Sequence, residues 1–134
     1  MLQTESFANA ISSLQRAIDE YERTANEFVR DACIQRFEYT YDLSHKMLKR
    51  HLEMTSANPA DVDGYSFQEL IRTGAERGLL LNSWDCWAKY RLARNITSHS
   101  YNEAKALEVF QQIPDFLKES EYLLARLNDS SFAE

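Results

Sequence analysis

Apolar residues recur along most of this chain at steps of three and four, the spacing that gathers side chains on one face of an α-helix. Phe7, Ile11, Leu14, Ile18 and Tyr21 make the first such stripe, with Gln15, Arg16, Asp19 and Glu20 off it. A second helix is predicted from about Asn26 to Met54, carrying Phe28, Val29, Cys33, Ile34, Phe37, Tyr41, Leu48 and Leu52. At ~1.5 Å per residue it is roughly 40 Å long, a spine for the whole fold. The stretch from Thr55 to Tyr65 holds the turn-forming pairs Asn58-Pro59 and Asp63-Gly64 and is expected to be irregular.

Ser66-Phe67-Gln68-Glu69 then reads as a capping box, in which serine accepts from a free backbone amide and glutamate reaches back. Phe67, Leu70, Ile71 and Ala75 carry this short third helix, and Gly78 is placed to close it. Asn82 or Ser83 caps a fourth helix with Trp84, Trp87, Ala88, Tyr90 and Leu92. A fifth begins near Asn102 and bears Leu107, Phe110, Ile113, Leu117, Leu124 and Leu127. Pro114 should kink or split it, because proline lacks the amide donor and clashes with the preceding turn. The predicted fold is all-α: an up-and-down antiparallel bundle of four main helices and a short one. It forms one domain over 1–134, with its core at about 5–127 and a polar tail over 128–134.

Composition agrees. The length of 134 residues suits one core, and 3 Gly and 2 Pro are few for a protein of short strands and tight turns. The net charge of -6 is wrong for a surface that grips nucleic acid everywhere, so any RNA contact must be a local basic patch. Cys33 and Cys86 lack ligand spacing and are read as reduced packing residues. The first residues carry no basic region followed by an apolar run, and no apolar stretch approaches a membrane span. A cytoplasmic protein without membrane contact is expected.

The chemistry collects between the fourth and fifth helices. Arg91, Arg94, His99 and Tyr101 lie close in sequence, with Asn95, Thr97, Ser98 and Ser100 among them. On a continuous helix, a step of five turns side chains about 140° apart, so Arg94 and His99 converge only if the helix ends between them. Asn95 and Thr97-Ser98 compete with helical hydrogen bonding, and a break just after Arg94 is predicted. His99 then falls in a turn and Tyr101 just before the N-terminus of the fifth helix. The positive field there suits a phosphate and keeps an imidazole neutral. Taken alone, an arginine at a helix end and a histidine in a turn are also what ordinary capping and solvated surface produce. Trp84 and Trp87, three apart, read as core or a subunit seam, with a base-stacking platform as the rival. Lys46, Lys49 and Arg50 read as a solvated helix face, His45 as structural, and His51 as a charge partner for the helix C-terminus.

Arg94-x4-His99-x-Tyr101 resembles the Arg-x4-His-x-Tyr motif of HEPN-domain toxins paired with minimal nucleotidyltransferases. The surrounding Arg-Asn-x-Thr-Ser-His-x-Tyr is closer still to the nucleotidyltransferase substrate-binding protein family. The run Ile34-Gln35-Arg36-Phe37-Glu38-Tyr39-Thr40-Tyr41-Asp42-Leu43 resembles a second block of that family, and Phe67 to Leu80 a third. The likeness covers roughly 5–127. One departure is visible: Ser44-His45 stands where the family has a small residue followed by tryptophan.

The resemblance implies a helical bundle that forms a homodimer, with arginine and histidine of two subunits around one cleft. It implies a ribonuclease needing no metal or other cofactor, with Arg94 and His99 catalytic. Asn95, Ser98 and Arg91 are candidates for binding the RNA or nucleotide. It implies Tyr101 as the hydroxyl that a minimal nucleotidyltransferase, encoded nearby, modifies with AMP. The alternative is a non-catalytic subunit that presents a nucleotide or other substrate to its nucleotidyltransferase. A bundle with no site at all is the third reading. The chain lacks the Gly-Ser and paired-Asp signature of a nucleotidyltransferase and is not expected to transfer nucleotides itself.

Overall fold

The computed structural model describes residues 2–99 and 102–129, with backbone alone at 97–99. Among these residues the chain forms helices α1 (Glu5–Thr24), α2 (Glu27–Thr55), α3 (Pro59–Asp63), α4 (Phe67–Glu76), α5 (Trp84–His99), α6 (Glu103–Phe110) and α7 (Ile113–Leu127). The spine expected of α2 is present, and it packs against each of the others.

Local chemistry explains most boundaries. The Asn26 side chain accepts from the Phe28 and Val29 amides, starting α2. The capping box at Ser66 and Glu69 is complete in both directions. Past α4, Gly78 adopts φ 76°. Its amide donates to Ala75 and the Leu79 amide to Gly74, the paired bonds of a left-handed helix closure. Two expectations are corrected. The link after α2 is not wholly irregular, because Pro59 sits at the first positions of a short helix, where its fixed φ is an advantage. His51 is buried within α2 rather than acting at its end: it shares the inward stripe of Ser44, Met47 and Leu48, and α2 continues to Thr55. Pro114 does split the last predicted helix, at the start of α7.

The core holds an aromatic knot. Phe116 of α7 meets Phe37 of α2 edge-on at 5.2 Å, and Trp87 and Tyr90 of α5 at 5.9 and 5.3 Å. Tyr41 lies 6.3 Å from Trp87. Trp87 is therefore core, one of the two readings its spacing allowed. Gly74 sets the approach of α4: a methyl group there would meet the Leu48 and Leu80 side chains at 3.0 and 3.2 Å. Both cysteines are free, and burial pushes the Cys33 thiol up to about 11. Among the described residues no helix is long and apolar enough to cross a membrane.

A buried carboxylate positions α5. Glu119 of α7, wholly enclosed, accepts from the Leu81 amide at 2.7 Å and the Asn82 amide at 3.1 Å, fixing the turn that leads into α5. Desolvation pushes its carboxyl above the ordinary glutamate value, and the amides pull it partly back. Glu119→Ala should cost about 2–3 kcal/mol, since it strands two loop amides; urea denaturation measures it. The raised carboxyl holds its proton more tightly folded than unfolded. Stability should therefore fall as pH rises above 4.5 through the folded value, and this slope should vanish in Glu119→Gln.

Candidate functional site between α2 and α5

Trp87 and Tyr90 point inward and thereby set the rest of α5. Arg94, two turns after Trp87, falls near the same side of the helix and lies against α2. There it meets carboxylates one helical turn apart. Its Nε donates to Asp42 Oδ1 at 3.3 Å and its Nη2 to Oδ2 at 3.2 Å, a fork on one carboxylate. Its Nη1 donates to Glu38 Oε2 at 3.2 Å. The Asp42 hydrogen bond is the largest influence raising the guanidinium above its ordinary pKa. At 24% exposure Arg94 is accessible yet fixed.

Arg91, one turn earlier, is exposed and lies with its guanidinium carbon 5.1 Å over the Phe67 ring. Phe67 is ringed further by His45, edge-on at 4.9 Å, and by Trp84 at 5.8 Å. His45, the departure from the family's tryptophan, thus keeps an aromatic ring at that place. Burial, followed by the charge of Lys49, lowers its pKa. Lys49 itself pairs with Asp63 at 3.4 Å. Asn95 is exposed.

The predicted break just after Arg94 is not there. Helix α5 continues through His99, so positions 94 and 99 are about 140° apart around one axis. His99 is helical instead of occupying a turn. The reason is packing: nothing between Arg94 and His99 is glycine or proline, and Ile96 packs against the core. Asn, Thr and Ser cost at most ~0.7 kcal/mol each in a helix, which such burial outweighs. Helix α6 is capped by Asn102, whose side chain accepts from the Lys105 amide. Glu103 follows, held by buried Arg30 at 2.8 and 3.1 Å. Tyr101 lies outside the described residues, as do the side chains of Ser98 and His99 and the tail beyond Asp129.

Sequence reasoning missed Glu38, Asp42, Arg30 and Glu119. The first two had a signal: acidic residues four apart on α2 mark one helix face. Arg30 and Glu119 had none, because their partners come from distant segments.

A helical bundle with an arginine held between two carboxylates where α5 lies against α2 is the class of protein these features define. The profile of the family "Nucleotidyltransferase substrate binding protein like" matches residues 2–129, and the chain belongs to that family. It is 45% identical over 94 residues to a Haemophilus influenzae protein named "Probable ribonuclease HepT", a match spanning 70% of this chain and 64% of that relative. A solved H. influenzae structure, described as the fold of a substrate-binding domain of a nucleotidyltransferase, superposes with a TM-score of 0.87 at 33% identity. The superposition covers 95% of this chain and 100% of that one.

The arginine fork makes its own prediction. Asp42→Ala should expose the Arg94 Nε–H to rapid exchange in nitrogen-edited NMR, while Glu38→Ala, which touches only Nη1, should leave it protected. Because the groups are partly exposed, each change should cost no more than about 1 kcal/mol in stability.

Proposed function

We propose that this chain is the toxin of a toxin–antitoxin pair, a metal-independent endoribonuclease of the HEPN type. It works as a homodimer and is silenced when a minimal nucleotidyltransferase transfers AMP to Tyr101. The observation that carries the reading is the intact Arg94-x4-His99-x-Tyr101 run in a chain 45% identical to a "Probable ribonuclease HepT". Because one continuous helix places positions 94 and 99 about 140° apart, the reading requires Arg94 of one chain and His99 of the other to share a cleft.

In this mechanism the RNA 2′-oxygen attacks the adjacent phosphorus and the bond to the 5′-oxygen breaks. One His99 accepts the 2′-hydroxyl proton, and a protonated His99 of the second subunit delivers one to the leaving oxygen. Arg94 stabilises the charge growing on the phosphoryl oxygens, with Asp42 and Glu38 holding its plane. Asn95 and Ser98 are assigned to substrate contact. In silencing, the Tyr101 hydroxyl attacks the α-phosphate of ATP held by the nucleotidyltransferase, and pyrophosphate leaves.

A second reading is a non-catalytic subunit presenting a nucleotide to the transferase. The two carboxylates already engaging Arg94 favour it, as does the description of the superposed structure. Purified protein with RNA in EDTA separates the two: cleavage supports the nuclease, and nucleotide binding without cleavage supports the subunit. Arg94→Ala and His99→Ala should each lower cleavage at least about a hundredfold with helical circular dichroism unchanged. Full activity in His99→Ala overturns the nuclease reading. Tyr101→Phe should remain active and gain no adenylyl mass when incubated with the partner and ATP.

A further inference from the structure

Helix α5 carries two arginines in unlike electrostatic circumstances. Arg94 is held between two carboxylates. Arg91 is exposed and, among the described residues, makes no ion pair; its contact is with the face of Phe67. Its charge is therefore uncompensated, one helical turn from the arginine assigned to chemistry. Trp84 lies two turns before Arg91 on nearly the same face of α5, about 10 Å along the axis. It is only partly buried and packs edgewise against the same Phe67.

From this juxtaposition we infer that Arg91, Phe67 and Trp84 form a nucleotide subsite adjoining Arg94, in which Arg91 takes a phosphate and the exposed part of Trp84 takes a base. The geometry fits the ligand class. A guanidinium held over an aromatic face by cation–π attraction keeps its planar fork of N–H donors available to a phosphate. A ring standing beside it is the stacking surface that single-stranded nucleic acid uses without regard to sequence. His45 and Phe67 hold the platform from α2 and α4, so the site is built on three helices. It also answers the charge problem: a chain of net charge -6 needs a local cation to receive RNA, and Arg91 is one whose charge is not spent on an internal partner.

This inference rests on the proposed role in handling RNA or nucleotide, and the test keeps the two apart. Binding of a short, fluorescent 2′-O-methyl RNA, which cannot be cut by 2′-hydroxyl attack, is measured by anisotropy across a salt series, with AMP and ATP in parallel titrations. Arg91→Gln should weaken RNA binding about tenfold and reduce the salt slope by ~0.7, the loss of one phosphate contact. Arg91→Lys should restore most of the slope. Trp84→Phe should weaken binding and remove most of the quenching of tryptophan fluorescence by RNA. Arg16→Gln, an equal change of charge on α1, should do much less. Melting temperatures confirm that the variants are folded.

If Arg91→Gln binds RNA like the parent chain, or no worse than Arg16→Gln, the subsite is wrong while RNA handling stands. If the parent chain binds AMP or ATP but not RNA, and Arg91→Gln abolishes that, the subsite stands with a free nucleotide as its ligand and the nuclease reading falls. Binding of neither ligand overturns both.

Discussion

The packing of Trp87 and Tyr90 against Tyr41 and Phe116 is the contact on which the rest of this molecule's geometry depends. It joins α5 to α2 and α7 through large rings that meet mostly edge-on, an arrangement with little tolerance for rotation of α5 about its axis. Such a rotation would carry Arg91 and Arg94 away from their places. A core contact thus serves as the bearing of the surface site.

The same logic explains a charge distribution that composition alone makes puzzling. Acidic groups outnumber basic ones, 21 to 15, yet two carboxylates of α2 are committed to Arg94 and one glutamate is sealed inside to hold the approach to α5. These acids are structural, and they hold cations and amides in register for whatever enters. Arg30 and Glu103 do similar work at the start of α6. The overall negative sign therefore says little about the local potential beside Arg91.

Much of the fold was legible because its signals are local. The caps at Asn26, Ser66 and Gly78, the interruption at Pro114, and the inward faces of α1 and α2 each arise from residues within a turn or two of one another. What failed was a contest between local and distant effects. Asn95, Thr97 and Ser98 argue for a break, and the burial of Ile96 argues against one. Only the second depends on α6, which no local pattern reveals. His51 failed likewise, through the stripe it shares with Met47 and Leu48. At the site, the arginine could be read from its motif, whereas its carboxylate partners lie more than fifty residues away in sequence.

The absent side chain at Gly74 lets α4 lie close to Leu48 and Leu80. Phe67, on which Arg91 rests, begins that same helix, about 10 Å away along its axis. Seating depth at one end is thus tied to aromatic elevation at the other. The bulk allowed at residue 74 thereby bears on where the Phe67 ring, and the guanidinium resting on it, sit relative to α2.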